Sequence, residues 1–181
     1  SGIGGSFTIK FLIFTSGSLN NQAVSTSTVT DGNWHHVLGV NDGTDLKIYI
    51  DGILEDTNVG GGGAIQSSTA NFFIGRRGNV ANEFRNHWSG KIDEPAVFDY
   101  ALTSTQASTI YGSGVPTSIS SLSPVGHWRS ENATWNGSNW TVTDVGSGLN
   151  DGTSAGMTLA SKTTDVPLFD NKSFEYDGVI D

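Results

Sequence analysis

The sequence contains no cysteine, so disulfide bonds and thiolate metal ligands are excluded, and the fold must be held together by packing and hydrogen bonds. Positive charge is also scarce: nine Lys and Arg residues stand against 18 Asp and Glu residues, which gives a net charge of −9. A surface of this sign repels a phosphate backbone, so nucleic acid is not expected as a partner. No apolar stretch approaches the length that crosses a bilayer, and membrane insertion is not expected either.

The abundant residues favour strands and turns. Glycine occurs 24 times, and Ser, Thr and Asn supply much of the remainder. Apolar residues occupy alternate positions in the stretch 6–14, as in a half-buried strand, and Asp51-Gly52 predicts a tight hairpin. Thr103 and Gln106 predict the capping box of one short helix that stops at Gly112. Further strands are predicted at 34–40, 46–50, 53–57, 71–75 and 90–98. The pattern predicts an all-β, antiparallel fold with one short helix.

Several of these stretches together resemble a known family. They are DGNWHHV at 31–37 with its hairpin through Asp51-Gly52, FIG at 73–75, and GKIDEPAVF at 90–98 leading into ALT at 101–103. The combination resembles the laminin-G-like, concanavalin-A-like jelly-roll domains of the bacterial and phage branch. The resemblance implies two stacked antiparallel sheets and places the Trp-His-His run in a sheet. It also implies that opening strands are missing ahead of Ser1, so we interpret the chain as a piece of something longer.

The sequence divides into three predicted segments. The first is a laminin-G-like sandwich at 1–113, the second a linker at 114–124 rich in Ser, Thr, Gly and Pro, and the third a Trp-rich region at 125–181. The third segment contains GHWR at 126–129, NDGT at 150–153 and FEYDG at 174–178. These stretches resemble the start of a following laminin-G-like domain and virion proteins of marine bacteriophages. The segment has few aliphatic residues for an independent core, so we expect it to pack on something else.

The chain ends in a predicted strand at 173–181. We expect this strand to pair with a sandwich, either that of its own chain or that of a neighbouring copy. Phe174 and Tyr176 are predicted to be buried on one face of this assembly strand.

Two adjacent pairs of polar residues invite a catalytic or metal-binding interpretation. His35 and His36 follow each other in a strand, as do Asp93 and Glu94, so the members of each pair point to opposite faces. One metal cannot take both histidines without distortion, and a glycosidase needs its two acids on either side of one bond. The Glu-x-Asp-x-x-Glu strand of sandwich glycosidases is absent. Both pairs are therefore interpreted as structural.

Acidic turns supply a candidate calcium site. Asp144, Asn150 and Asp151 offer the hard oxygen ligands that calcium prefers. A second group of the same kind is Asn41, Asp42 and Asp45. The alternative, which we favour, is that these residues are ordinary turn formers.

Three tryptophans in a Ser, Asn and Gly setting form a candidate ligand site. Trp128, Trp135 and Trp140 could stack on sugar rings, which need flat apolar faces next to hydrogen-bonding groups. The alternative is that they anchor the third segment, and this alternative is favoured.

Together these features predict a non-enzymatic structural or adhesion module of a virion or of an extracellular surface assembly. Its expected partners are copies of itself or neighbouring structural proteins. A calcium-dependent carbohydrate-binding module, with a surface glycan as partner, is the first alternative. A relative of glycoside hydrolases is the second.

Overall fold

The structure is a computed structural model that describes residues 7–15, 18–69, 71–76, 87–115, 117–154, 156–163 and 173–177, with the backbone alone at 18–20 and 173–177. Twelve strands and one α-helix lie within these ranges. The strands are β1 (Thr8–Thr15), β2 (Ser18–Thr28), β3 (Val37–Asn41), β4 (Leu46–Ile50), β5 (Ile53–Asn58), β6 (Ser89–Ile92), β7 (Ala96–Val97), β8 (Gly126–Trp135), β9 (Trp140–Asp144), β10 (Gly152–Thr153), β11 (Lys162–Thr163) and β12 (Ser173–Asp177); the helix α1 is Ser104–Tyr111. Their sheet pairings are antiparallel, so the predicted all-β class with one short helix is confirmed.

Three expected strands differ in detail. The strand expected at 34–40 begins only at Val37, so Trp34, His35 and His36 precede β3 rather than lying in it. Residues 71–75 form no strand, and bends occur at 74 and 75. The stretch 90–98 is divided into β6 and β7 because Glu94 adopts a left-handed φ of 50° and the next residue, Pro95, has no N–H to donate to a ladder.

The chain forms two compact units. The first unit comprises Ser1–Ser67 and Tyr100–Ser118, and the second comprises Ser68–Asp99 and Ile119–Asp181. Strands β6 and β7, which the sequence grouped with the first segment, pair with β12 and β8 of the second unit. The predicted domain boundaries at 113 and 125 stay a prediction. Strand pairing crosses them, because β6 and β7 precede residue 113 while their partners β12 and β8 follow residue 125.

The first unit contains a two-stranded sheet, β1-β2, and a three-stranded sheet, β3-β4-β5. Side chains that alternate along β1 and β4 meet in one aliphatic core. The buried members of this core are Ile13, Ala23, Leu46, Ile48 and Ile50. Gly39 of β3 faces Phe11 so closely that a Cβ there would lie 2.4 Å from the ring, so only glycine fits.

Helix α1 begins as the sequence predicts. The Thr103 side chain accepts a hydrogen bond from the backbone N–H of Gln106, and the Gln106 side chain accepts one from the backbone N–H of Thr103. Gly112 ends the helix in the left-handed conformation that glycine adopts without strain. The helix buries Ala107 and Ile110. No helix in the described part of the chain is long and apolar enough to cross a membrane.

The second unit contains the sheets β10-β9-β8-β7 and β11-β12-β6. Its described core cluster is small and aromatic, with Ala133 and Trp140 buried and Trp135, Val142 and Met157 packed against them. Strand β12 lies between β11 and β6 and pairs with both. The end of the chain therefore supplies a central strand.

This pairing bears on the predicted assembly strand at 173–181. Residues 173–177 form a strand that pairs within its own chain, which is one of the two arrangements expected from the sequence. Residues 178–181 and the side chains of Phe174 and Tyr176 lie outside what the structure describes. Their burial, and pairing with a neighbouring copy, stay predictions.

Candidate functional site

A shallow groove of about 510 Å³ lies on the first unit. The end of β2 forms one wall and the β4–β5 hairpin forms the other, with His35 beside them. The lining residues are Thr26, Ser27, Thr28, His35, Ile50, Asp51, Ile53 and Glu55. Hydroxyl and carboxylate groups thus alternate with two isoleucine side chains, a mixture that suits a ligand with both hydroxyl groups and an apolar face.

His35 joins two segments next to this groove. Its Nδ1 lies 2.8 Å from Oδ2 of Asp51 in the β4–β5 turn, and its Nε2 lies 2.9 Å from Oδ1 of Asp31 in the β2–β3 loop. Asp31 is itself fixed, because it accepts hydrogen bonds from the backbone and the side-chain amide of Asn33. Burial alone would lower the pKa of His35, but the hydrogen bonds with Asp31 and Asp51 outweigh it and raise that pKa.

His36 occupies a different environment from its neighbour. Its ring stacks on Tyr111 of α1, with centroids 6.4 Å apart, and its backbone N–H donates to Oδ1 of Asp51. Burial lowers the pKa of His36, although the charge of Asp51 acts in the opposite direction. The two rings therefore have separate partners, as the sequence predicts, although both residues precede β3 rather than lying in a strand. Within the described residues, no group of three or more His, Cys, Asp and Glu is placed to hold a metal ion.

Carboxylates of β5 bind the backbone of β2 at the groove wall. Oε2 of Glu55 accepts hydrogen bonds from the N–H groups of Thr26 and Ser27 at 2.8 and 2.9 Å, and Oδ2 of Asp56 accepts one from Val24 at 2.8 Å. Burial acts to raise the pKa of Glu55, but these hydrogen bonds, led by those from Ser27, lower it. Sequence reasoning missed this role, because the only signal was two acids in a strand that otherwise reads as one arm of a hairpin.

The sequence of this region matches one known family. A laminin-G-like family described as the concanavalin A-like lectin/glucanases superfamily matches residues 1–108. The chain belongs to this superfamily. Membership agrees with the sandwich fold and is compatible with a lectin-like module. No curated protein and no solved structure matches the chain.

The superfamily match ends before the Trp-rich region at 125–181. Residues 125–181 lie outside it, so the resemblance of that region to phage virion proteins gains no support from the match and stays a prediction.

The residues predicted to hold calcium lie together in the second unit, but hydrogen bonds occupy them. Asp144 is 1% exposed and accepts bonds from the N–H groups of His127, Gly146 and Asn150, each at 2.8 Å. Asp151 in turn accepts a bond from the N–H of Asp144 at 2.9 Å. Burial acts to raise the pKa of Asp144, but the backbone donors outweigh it and lower that pKa. In this geometry the two carboxylates hold the loop through its backbone N–H groups, which fits the favoured interpretation that they are turn formers. The calcium assignment remains a prediction.

The second predicted calcium group also forms turns. Asp42 accepts hydrogen bonds from the N–H groups of Thr44 and Asp45 and pairs with Lys47. The hydrogen bond from Lys47, followed by those from the turn, lowers the pKa of Asp42 to about 2. Asn41 accepts from the N–H of Gly43 at 3.2 Å. These contacts are those of ordinary Asx turns in a superfamily domain.

Two of the three candidate tryptophans pack against each other. Trp140 is 5% exposed, and its indole N–H donates to the carbonyl of Thr158 at 2.8 Å. The Trp135 ring lies 5.4 Å from it, and Nζ of Lys162 lies 5.1 Å from the Trp140 ring centroid. A buried ring held in this way fits the anchoring interpretation, and a sugar-binding role for Trp140 stays a prediction.

Trp128 is more accessible but is also held in place. Its indole N–H donates to the carbonyl of Asn150 at 2.8 Å, and its ring stacks on Phe72 with centroids 5.5 Å apart. A Cβ at Gly126 would lie 2.5 Å from the ring, so the backbone passes directly beneath the indole. The sugar-binding role of Trp128 and Trp135 remains a prediction.

An ion-paired cluster links the segment between β6 and β7 to β8. His127, which is 3% exposed, contacts the carboxylate of Glu94, and Nε of Arg129 donates to Oε1 of Glu94 at 2.7 Å. Arg129 also pairs with Glu131 on the same strand. His127 looks isolated in the sequence, since its partner Glu94 is far away in the chain. Of the Asp93-Glu94 pair, Glu94 thus contacts two side chains of β8.

Proposed function

We propose that the chain is a non-enzymatic structural and adhesion module of a virion or an extracellular surface assembly. The observation that carries this proposal is how the acidic side chains are used. The carboxylates of Asp144, Glu55 and Asp51 each accept more than one hydrogen bond from the fold itself. Such groups hold loops and strand edges in place, which is what a rigid module in an assembly requires.

A contact surface for assembly is available on β1. In the described part of the chain β1 pairs with β2, and beyond that only Thr15 makes an isolated bridge, to Ile65. Leu12 and Phe14 on its outer face are 38% and 39% exposed. An edge strand with apolar outward residues favours contact with another protein surface. Copies of the chain or neighbouring structural proteins are the proposed partners.

Analytical ultracentrifugation across a wide concentration range tests the proposal. The intact chain should self-associate as concentration rises, and Leu12→Ser with Phe14→Ser should reduce association. Val59→Ser is the matched control, since Val59 is exposed but lies in the turn after β5. A chain that stays monomeric throughout and cleaves a polysaccharide would contradict both the assembly role and the absence of catalysis.

A calcium-dependent, lectin-like module is the second candidate. The groove favours it, because Thr26, Ser27, Thr28 and Glu55 place hydroxyl and carboxylate groups beside Ile53, which is 68% exposed. A glycan array read with calcium and again with chelator tests it. Binding that chelator abolishes supports this candidate, and the same experiment on Asp151→Ala asks whether the predicted calcium group is responsible. Identical melting curves with calcium and with chelator would remove calcium from the proposal.

A further inference from the structure

The two ring nitrogens of His35 both face carboxylate oxygens. Nδ1 lies 2.8 Å from Asp51 Oδ2 and Nε2 lies 2.9 Å from Asp31 Oδ1, and the side chain is 16% exposed. A neutral imidazole carries one N–H and one bare nitrogen, so it can donate to only one carboxylate. The imidazolium carries two N–H groups and can donate to both. The observed geometry therefore fits the doubly protonated ring.

Asp31 is not a natural place for that extra proton. The backbone hydrogen bond from Asn33, and then its side-chain bond, hold the pKa of Asp31 well below its usual range. The other oxygen of Asp51 accepts a hydrogen bond from the backbone N–H of His36. The proton that completes both contacts accordingly resides on His35.

Carboxylates from two different segments contact the ring, and a third lines the same groove. Asp31 comes from the β2–β3 loop, Asp51 from the β4–β5 turn, and Glu55 from β5 on the same groove. The adjacent histidine, His36, turns to Tyr111 instead. The two carboxylates that contact the ring favour its cationic form.

We propose that His35 is a pH-dependent latch beside the groove. As an imidazolium it donates hydrogen bonds to both Asp31 and Asp51 and so connects the β2–β3 loop to the β4–β5 turn. When the ring loses a proton, one of these two hydrogen bonds is lost. The loss leaves a bare ring nitrogen against a carboxylate, two acceptors facing each other without a proton between them. Because His35 and Asp51 both line the groove, the shape of this part of the groove changes with the latch. The latch does not depend on what the groove binds.

The direction of the pH effect follows from the raised pKa of His35, whose ordinary value is 6.5. The latch contributes its full stability below the pKa of an unfolded histidine, and this contribution is lost as pH rises through the higher, folded-state pKa. The segment 31–36 should consequently loosen on the alkaline side.

Two measurements on the intact chain test the latch. Ring proton resonances give the titration midpoint of His35, which should lie above that of the same chain in denaturant. Hydrogen exchange of the segment 31–36 should be slow near about pH 6 and several-fold faster, after correction for intrinsic rates, near about pH 9.

Asp31→Asn is the decisive variant. An Asn side chain can donate to a neutral ring nitrogen, so the contact no longer needs a second proton, and the midpoint of His35 should fall. The matched control is Asp42→Asn, which changes an equivalent turn aspartate that pairs with Lys47 rather than with a histidine. It should leave the His35 midpoint unchanged.

His35→Gln is the second variant, which decides the matter if Asp31→Asn folds poorly. Glutamine has no titration in this range, so corrected exchange of 31–36 should be fast at both pH values. A His35 midpoint at or below the denatured value, or equal exchange of 31–36 at both pH values in the unaltered chain, overturns the latch. The latch is also overturned if Asp42→Asn moves the midpoint as far as Asp31→Asn does.

Discussion

The two units reach stability by different means. The first unit has one aliphatic core in which Leu46 and Ile48 are fully buried. Each of its sheets is formed by strands that follow one another in the sequence. The second unit has a small aromatic cluster around Trp140, a buried carboxylate at Asp144, and a central strand that comes from the end of the chain. The difference shows that a Ser-, Thr- and Gly-rich sequence can replace missing aliphatic volume with hydrogen-bonded polar groups and a long-range strand pairing.

The comparison is tested most severely by removing residues 173–181. This deletion takes away β12 and leaves β6 and β11 without the strand between them. At about 1 kcal/mol for each net hydrogen bond, we expect a loss of more than about 4 kcal/mol, concentrated in the second unit. Hydrogen exchange should report collapse of protection in β6 and retention of it in β4.

If the deletion leaves β6 protected and the melting curve unchanged, β12 is dispensable and the second unit does not depend on it. Sedimentation of the same truncated chain separates two roles. A stable but dissociated chain would indicate that the strand acts between copies rather than within one.

The second prediction probes the aliphatic core of the first unit. Ile48→Ala should lower the free energy of unfolding by about 3 kcal/mol, since Ile48 is fully buried and the cavity cannot fill by local rearrangement. Ile53→Ala is the matched control, because Ile53 is 68% exposed. Urea unfolding of the two variants should separate them clearly. Equal midpoints would show that the aliphatic core does not stabilise the first unit.

The third prediction concerns the buried carboxylate of the second unit. Asp144→Asn removes the charge and one of the oxygens that receive backbone N–H groups, and we expect a loss of about 2 kcal/mol. The pKa of Asp144 is lowered, so its contribution is present above the unfolded pKa and disappears as pH falls through the folded value. The variant should therefore approach the unaltered chain in stability at acid pH, as measured by thermal melts.

Asp151→Ala serves as the comparison for Asp144, because Asp151 accepts a single backbone hydrogen bond in the same loop. Its effect should be smaller. A larger effect for Asp151→Ala than for Asp144→Asn would show that the loop is organised around Asp151, as a bound ion at that residue would require.

The smallest predicted effect is at the edge of the first unit. Glu55→Gln keeps an acceptor for Thr26 and Ser27 but removes the charge. The free energy of unfolding at neutral pH should therefore fall by less than about 1 kcal/mol. Since the pKa of Glu55 is lowered from 4.5, its stabilising contribution is lost as pH falls through the folded value. Melts between neutral and acid pH should show a flatter acid decline for this variant. Asp99→Asn, at an exposed position, should follow the unaltered chain.

Local features could be predicted from the sequence because neighbouring residues determine them. The turn at Asp51-Gly52 forms between β4 and β5, with both residues at positive φ. The capping box of Thr103 and Gln106 is present as expected, and so is the left-handed Gly112. Separate partners for His35 and His36 are likewise found, although the strand from which they were predicted begins only at Val37.

The groove and the latch could not be predicted in the same way. His35 meets Asp31 and Asp51, and Glu55 meets the backbone of β2, only after separate hairpins have been brought together. The sequence shows such acids as ordinary turn and strand residues, because a hydrogen bond between distant segments leaves no periodic signal in either one.

The sequence by itself determined the antiparallel all-β class, the exclusion of disulfides, and the turns and helix cap, since each depends on composition or on residues a few positions apart. Only the tertiary structure decided that β6 pairs with β12 and β7 with β8, that the Asp144 carboxylate is buried and accepts backbone N–H groups, and that the Trp140 ring is buried. The physical reason is that burial and strand pairing are properties of segments in contact. Many partners would satisfy the same strand edge or carboxylate locally, and the packing of each whole unit selects one of them.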